Sequence, residues 1–157
     1  MSGARIAPGN GVVNVATGVP VLDHLLGVLA RAGRFDLALE IDPGDAESEV
    51  AFAGAALGAA LESRLREGAH ADATAPADEA LAMIVLERTG RPLVASNADL
   101  TGAGGLGTDL AARFLEHFTA AAGLTLHVRL IEGEEADHVL EAIFKALGIA
   151  LGRAIRS

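Results

Sequence analysis

The sequence has no cysteine, tryptophan or tyrosine, and it contains only five phenylalanines. The absence of cysteine excludes disulfides, thiolate nucleophiles and cysteine-ligated zinc, and it is typical of proteins from a reducing compartment. With no tryptophan or tyrosine to stack on bases and a net charge of −9, the chain is not expected to bind nucleic acid. No apolar run reaches the roughly 18 residues of a membrane helix, and Met1–Asn10 lacks the hydrophobic segment of a signal peptide. We therefore predict a cytoplasmic protein with no membrane partner.

Alanine supplies much of the hydrophobic content, which is 51% of the 157 residues. This length suits one domain, 1–157, with a sizeable core. Because the side chains are small, we expect the helices to approach one another closely. Lysine is almost absent: the chain has eleven arginines and one lysine, Lys145.

The longest helical period runs over Ala136–Arg156, where apolar residues recur at steps of three and four. The opposite side of this predicted helix carries a polar stripe formed by Asp137, His138, Glu141 and Lys145. Such a stripe is most often a solvated helix face. An imidazole and a carboxylate three residues apart are also a common arrangement of metal ligands.

The other elements follow from periodicity and turn residues. We predict helices from Pro20 to about Ala32 with Gly33 ending the helix, from about Glu47 to Arg66, and over Asp109–Ala121. Strands are predicted at Phe35–Ile41, Glu79–Glu87, Leu93–Ser96 and Leu124–Ile131, with at most one strand in Met1–Ala16. Gly68–Ala77 is predicted to be a loop, and the Gly-rich stretch Asn97–Gly107 is predicted to be mobile.

The order helix, glycine, alternating strand, turn and Ala-rich helix occurs twice, about 90 residues apart. We interpret this as an internal duplication with halves of about 1–68 and 76–157. When the halves are superimposed, Glu47, Ser48, Ala51 and Ala55 take the positions of the second-half polar stripe. The first copy of that stripe has therefore lost most of its polar side chains.

Five segments in order resemble the imidazoleglycerol-phosphate dehydratase family of histidine biosynthesis. Thr17–Leu26 resembles the family's TGxxxLDHML, Pro76–Ala82 its PMDEALA, Thr89–Pro92 its SGRP, Leu124–Val128 its ITLHI, and Asp137–Ala146 its HHxxEAxFKA. The resemblance implies an α+β fold, an internally duplicated β-sheet and helix sandwich of the ribosomal protein S5 domain 2-like type. It further implies a homo-oligomer, with trimers that build larger cubic cages, and two manganese ions held at subunit contacts.

The resemblance assigns roles to individual residues. It implies metal ligation by His24, His127, Asp137, His138 and Glu141, and more weakly by Glu47, and substrate or phosphate binding by Lys145 and Arg91. Asp137 stands in place of the first histidine of the second HHxxE, a change that a hard divalent ion could accept. The expected cofactor is manganese or another divalent metal at partial occupancy, or none.

Several family features have no counterpart in this sequence. The first HHxxE is replaced by Glu47, Ser48 and Ala51, and Ala69 stands where a phosphate-contacting arginine is expected. No carboxylate in Met1–Asn10 matches the family's catalytic glutamate, and no Ser/Lys phosphate-binding tail is found. Because losing a general base alone costs roughly 10²–10⁴ in rate, we expect no efficient turnover of the family substrate.

The sequence is compatible with three hypotheses about function. The first is a diverged, dehydratase-like pseudoenzyme with a reduced metal site, whose chemistry would be that of a metal-dependent hydro-lyase acting on a small phosphorylated or imidazole-bearing ligand. The second is a non-catalytic oligomeric scaffold or partner of a true dehydratase. The third is a genuine dehydratase that another chain completes.

Overall fold

In the computed structural model, which describes residues 2–98 and 110–156, four helices lie between two β-sheets. The strands are β1 Gly3–Pro8, β2 Val13–Ala16, β3 Phe35–Glu40, β4 His70–Ala77, β5 Ala80–Arg88, β6 Leu93–Ser96 and β7 Leu124–Glu132. The helices are α1 Pro20–Gly33, α2 Ala46–Glu62, α3 Leu110–Ala122 and α4 Ala136–Arg156. The structure is thus α+β, as the sequence predicts.

The two sheets share a strand order but differ in size. The first has the order β1-β3-β2, with β1 antiparallel and β2 parallel to β3. The second has the order β4-β5-β7-β6, in which β5 is antiparallel and β6 parallel to β7. Over residues 2–98 and 110–156, the first sheet therefore matches β5-β7-β6 and has no strand equivalent to β4. The boundaries of the two halves, 1–68 and 76–157, stay a prediction.

The helices pair across the middle of the molecule, α1 with α4 and α2 with α3, and glycines lie at both crossings. A Cβ atom on Gly148 of α4 would lie 2.1 Å from the Leu29 carbonyl oxygen of α1. A Cβ on Gly58 of α2 would lie 2.4 Å from the Phe118 carbonyl oxygen of α3. Side chains larger than glycine do not fit at these distances. The expected close approach of the helices is confirmed.

The strongly periodic elements form as predicted. α4 has the predicted bounds, and its apolar face is buried. α1 begins with Pro20 at its first turn, where a missing N–H costs nothing. Its C-terminus differs from the prediction, because the left-handed residue that ends the helix is Arg34, at φ 61°, and not Gly33. A Cβ on Gly33 would lie 2.3 Å from the Gly148 carbonyl oxygen, so this glycine is needed for helix packing.

Three predictions about the first 77 residues are wrong. Gly68–Ala77 is predicted to be a loop, but most of it forms β4, which pairs with β5 over its whole length. The segment before Ala16 contains two strands and not one. α2 ends at Glu62, four residues before Arg66. Alanine has low strand propensity, so the Ala-rich β1 and β4 are extended because a neighbouring strand accepts their backbone hydrogen bonds.

The predicted mobile stretch Asn97–Gly107 lies outside the described residues from position 99 onward. In the part of the chain that is described, no helix is long and apolar enough to cross a membrane.

Candidate functional site

The N-terminal part of α4 contacts α1 through one imidazole and one carboxylate. His24 Nε2 of α1 lies 2.9 Å from Glu141 Oε1 of α4, and the two side chains are 58% and 34% exposed. A cavity of about 350 Å³ opens beside this pair, and Asp137 lines it together with Pro20 and Leu25. The structure therefore brings three of the predicted ligand positions, His24, Asp137 and Glu141, to one partly open cavity.

His138 faces the opposite direction, toward the turn between β4 and β5. Its Nδ1 lies 2.5 Å from Glu79 Oε1, and its Nε2 lies 3.2 Å from Asp78 Oδ2. Asp78 occupies the turn with φ 53°, a left-handed conformation that Asp tolerates better than most residues. The polar stripe of α4 is thus divided in the fold, with Asp137 and Glu141 toward α1 and His138 toward the second sheet.

Glu79 also binds the N-terminus of α4. Its Oε2 accepts hydrogen bonds from the backbone N–H groups of Glu134 and Glu135, both at 3.0 Å. These two backbone donors, from Glu135 and then Glu134, followed by the His138 side chain, lower the pKa of Glu79 to about 2. The hydrogen bond to Glu79 in turn raises the pKa of His138 above its usual value. This geometry therefore favours the ionised form of Glu79 and the protonated form of His138.

Lys145 lies one turn further along α4, where its Nζ donates a 3.2 Å hydrogen bond to the Pro76 carbonyl oxygen of β4. A cleft of about 480 Å³ between α1, α4 and the end of β4 is lined by Lys145, Glu141, Asp78 and Arg31. Glu141 therefore borders both openings. The cleft contains two basic and two acidic side chains, so it can contact a ligand that carries an anionic and a cationic group.

His127 and Arg91 lie away from this region. His127 is an exposed residue of β7, opposite Val85 of β5 and Ala95 of β6. Its side chain is on the outer face of the second sheet, since the buried neighbours Leu126 and Val128 face the helices. Arg91 occupies the turn before β6, where Thr89 and Thr125 hydroxyls bind its backbone. Within one chain, His127 therefore cannot share a ligand with His138 or Glu141.

Glu47, the weaker ligand candidate, lies at the N-terminus of α2. Its Oε1 lies 2.7 Å from Nη2 of Arg113 on α3, with both side chains partly exposed. Ser48 beside it donates its backbone N–H to Asp45, which caps the helix. The N-terminus of α2 thus carries a carboxylate paired with a guanidinium and no imidazole.

Imidazole nitrogens and carboxylate oxygens are the donor types that a manganese or similar divalent ion prefers. Over residues 2–98 and 110–156, however, no three His, Asp or Glu side chains are placed to hold a metal ion. The two nitrogens of His138 face different carboxylates, with a hydrogen bond to Glu79 and an ion-pair contact to Asp78, so this group is not a ligand set. The imidazole and carboxylate donors are of the types that fit a divalent metal ion. Binding one ion with three of these donors from the same chain would require the side chains to rearrange.

Asp78 and Glu79 are absent from the ligands predicted from the sequence. They belong to the Pro76–Ala82 segment that resembles a family motif, and this was the available signal. The contact between Glu79 and His138 joins residues 59 apart in the chain, which spacing arguments do not detect.

Comparison with known proteins agrees with this fold. A sequence model of the imidazoleglycerol-phosphate dehydratase family matches residues 17–151. The imidazoleglycerol-phosphate dehydratase of Pelobacter propionicus is 37% identical over 94% of this chain and 80% of its own length. The dehydratase of Frankia casuarinae is 40% identical with the same coverage of both chains.

Solved structures of the same family have the same fold. The crystal structure of imidazoleglycerol-phosphate dehydratase from Staphylococcus aureus superposes with a TM-score of 0.86 at 30% identity, covering 97% of this chain and 91% of that one. The Pyrococcus furiosus enzyme, crystallised in complex with (S)-C348, has a TM-score of 0.84 at 25% identity and covers 96% and 85% of the two chains.

Proposed function

Since the chain belongs to the imidazoleglycerol-phosphate dehydratase family, a carbon-oxygen lyase family of histidine biosynthesis, we propose that it is a diverged member without efficient dehydratase activity. It keeps a reduced site for at most one divalent metal ion per chain. The main support is the contrast between the two helix N-termini. α4 keeps His138 and Glu141, whereas α2 carries Glu47 paired with Arg113 and has Ala51 in place of a glutamate.

The retained ligands lie in two places that one chain does not connect. His24, Asp137 and Glu141 border one cavity, and His127 lies on the outer face of the second sheet. A metal bound by both groups would therefore lie between copies of the chain, which supports a homo-oligomer of trimers or a larger assembly. Light scattering would test this, and a monomer at micromolar concentration would contradict it.

A bound divalent ion would supply Lewis-acid stabilisation of an imidazolate formed on the substrate. The chain's own residues would contribute position and charge. Lys145, half-buried and adjacent to Glu141, is suited to hold an anionic group of a small phosphorylated ligand. Arg91, in an exposed turn, is a second candidate for the phosphate. Among the described residues around Glu141, the general base stays unassigned, which is why we propose weak turnover or none.

Metal content tests the first part of this proposal. Protein purified without chelator should carry up to one divalent ion per chain, measured by mass spectrometry and by calorimetric titration with manganese. Glu141→Gln and His24→Ala should each weaken manganese binding by at least about tenfold, because each removes a donor from the cavity. His70→Ala is the matched control, since His70 is exposed on β4 and outside the cavity. No bound metal and no heat of binding would contradict the proposal and favour the scaffold hypothesis.

Turnover of imidazoleglycerol phosphate tests the second part. With saturating manganese, the rate should be roughly 10²–10⁴ lower than that of the Staphylococcus aureus enzyme assayed alongside. An equal rate would show that the site is complete.

A dehydratase completed by another chain is the second candidate, and one observation favours it. Among the described residues, the first sheet has three strands and the second has four, so the β1 edge can accept a further strand. A rate that rises when an inactive full-length relative is added would support this candidate.

A further inference from the structure

A further cavity lies at the C-terminal ends of α1 and α4. Its volume is about 410 Å³, and three arginines line it, Arg34 directly after α1 and Arg153 and Arg156 on α4. The other lining residues are glycine, alanine and isoleucine, so no carboxylate borders the cavity. Arg34 follows His24 by ten residues, which is about 15 Å along a helix. The cavity is therefore separate from the two openings beside Glu141.

Arg156 is held over the end of α1. Its Nη1 donates to the Gly33 carbonyl oxygen at 2.8 Å, and its Nη2 donates to the Arg34 carbonyl oxygen at 2.6 Å. The guanidinium carbon lies 5.5 Å from the centre of the Phe35 ring. These bonds satisfy carbonyl groups of a helix C-terminus, and they use two of the five N–H groups of the guanidinium. Because the Arg156 side chain is exposed, the other N–H groups are accessible to an anion.

Arg153 is anchored in the same way, through a backbone carbonyl. Its Nη1 donates a 2.7 Å hydrogen bond to the Asp72 carbonyl oxygen of β4. Of the ion pairs between residues that the structure describes, none includes Arg34, Arg153 or Arg156. The partial negative charges of the two helix C-termini offset about one of the three positive charges. The cavity therefore keeps a positive charge, although the chain as a whole has a net charge of −9.

The C-terminal end of α2 indicates what helix capping alone requires. There a single arginine, Arg88, donates to the carbonyl oxygens of Glu62 and Leu65. Its Nη2 also lies 3.5 Å from Glu62 Oε1, so its charge is compensated by a carboxylate. Capping therefore accounts for one guanidinium at the end of α1 and α4, and it does not account for three.

Arg34 occupies a position that favours glycine. It ends α1 at φ 61°, and the residue that takes the same place before β7 is Gly123, at φ 71°. A residue with a Cβ atom is disfavoured in this left-handed region, which glycine adopts freely. Disfavoured backbone conformations are concentrated at ligand-binding and active sites. Stability favours glycine at position 34, so binding is the better explanation for the guanidinium.

We propose that the cavity formed by Arg34, Arg153 and Arg156 binds a phosphate group, either of a small phosphorylated molecule or as the free ion. Guanidinium groups bind such oxyanions through paired N–H donors. Ala32 and Ile149, both half-buried, form an apolar wall that suits the organic part of a phosphate ester. The site is distinct from Lys145, which precedes Arg153 by eight residues, about 12 Å along α4.

Calorimetric titration with inorganic phosphate, and separately with methyl phosphate, tests the proposal in a low-salt buffer without other oxyanions. We expect saturable binding that Arg34→Gly and Arg153→Gln each weaken about tenfold, a typical effect of losing a hydrogen bond to a charged group. Arg34→Gly should not lower the thermal unfolding temperature, because glycine adopts this φ freely. Loss of binding in this variant therefore cannot be attributed to unfolding.

The two probes distinguish the sources of the phosphate group. Methyl phosphate that binds at least as tightly as inorganic phosphate would indicate an ester, and weaker binding would indicate the free ion. Either order supports the site, provided that Arg34→Gly weakens the binding of both probes.

Two further variants serve as controls. Arg66→Gln removes an exposed arginine four residues after the end of α2 and should leave binding unchanged. Lys145→Gln should also leave the binding that depends on Arg34 unchanged, which separates this site from the ligand-binding role proposed for Lys145. Absence of saturable binding, or an equal loss in Arg66→Gln and Arg34→Gly, would overturn the proposal. So would binding that Lys145→Gln abolishes and Arg34→Gly leaves unchanged.

Discussion

The N-termini of α2 and α4 differ in how their backbone N–H groups are satisfied. α2 is capped locally, because Asp45 Oδ1 accepts from the Ser48 N–H three residues on. The start of α4 is held from another element, because Glu79 of the β4–β5 turn accepts from the backbone N–H groups of Glu134 and Glu135, the two residues just before the helix. Both helices follow a strand and pack on a partner helix through glycine. The same fold therefore permits a local or a tertiary cap.

The difference matters because the tertiary cap also holds an imidazole. Glu79 binds His138 with its second oxygen, so the helix start and the ligand candidate share one carboxylate. At α2 the corresponding surface is closed by the Glu47–Arg113 ion pair. An exposed pair of this kind contributes little to stability. It nevertheless engages a carboxylate that could otherwise bind a cation.

Substitutions at the helix crossings should have the largest effect on stability, since all four described helices pack through these two pairs. Gly148→Ala places a methyl group 2.1 Å from the Leu29 carbonyl oxygen, and Gly58→Ala places one 2.4 Å from that of Phe118. Overpacking costs about 1–3 kcal/mol or more, and better helix propensity returns at most about 1 kcal/mol. Urea unfolding should therefore show a net loss of about 1–2 kcal/mol for each. Gly44→Ala is the control, because the nearest atom to its new methyl lies 3.9 Å away. A neutral Gly58→Ala beside a costly Gly148→Ala would show that the two crossings are not equivalent.

Restoring imidazoles to α2 should have the next largest effect. The combined change Glu47→His, Ser48→His and Ala51→Glu replaces the ion pair with Arg113 by two imidazoles and a carboxylate on one helix. These are suitable ligands for a divalent ion. We expect one additional manganese per chain, measured by mass spectrometry and calorimetry. Glu47→Gln, which removes the ion pair alone, should add none. If the triple variant binds no more metal than the parent chain, the two helix N-termini are not equivalent ligand platforms.

The smallest expected effect is a change in the titration of His138 when Glu79 is replaced. Removing the carboxylate charge by Glu79→Gln should lower the pKa of His138 toward its usual value of 6.5, because the hydrogen bond to Glu79 raises it. Imidazole NMR shifts of the metal-free protein would measure this, with His70 as an internal reference. An unchanged His138 titration would show that the contact with Glu79 is not formed in solution.

The same contact predicts a pH window for stability. The pKa of Glu79 is lowered from 4.5 to about 2. Its contribution to the free energy of unfolding is therefore fully present above pH 4.5 and is lost as the pH falls through about 2. The pKa of His138 is raised above 6.5. Its contribution to the free energy of unfolding is therefore fully present below pH 6.5 and is lost as the pH rises through the pKa of His138 in the folded protein. Glu79→Gln should therefore destabilise most between about pH 4.5 and 6.5.

Regular side-chain periods made several elements predictable. The alternation over Leu124–Ile131 and the helical period over Ala136–Arg156 correspond to β7 and α4, because one face of each is buried by large apolar residues. β4 lacks such side chains, and the only large buried side chain described in β1 is Ile6. The inward positions of β4 hold mostly alanine, and both strands are extended through pairing with β5 and β3. Local propensity therefore gave the wrong result for these two strands.

The family, the fold class and the polar residues of α4 could be predicted from the sequence, since these depend on residue order and on periods within one element. Which polar residues meet depends on the tertiary structure. It joined His24 to Glu141 across 117 residues and His138 to Glu79 across 59. It placed His127 on the opposite side of a sheet from His138, although both lie close together in sequence. Such contacts depend on how helices and sheets pack, and burial of the apolar faces is the main driving force for that packing.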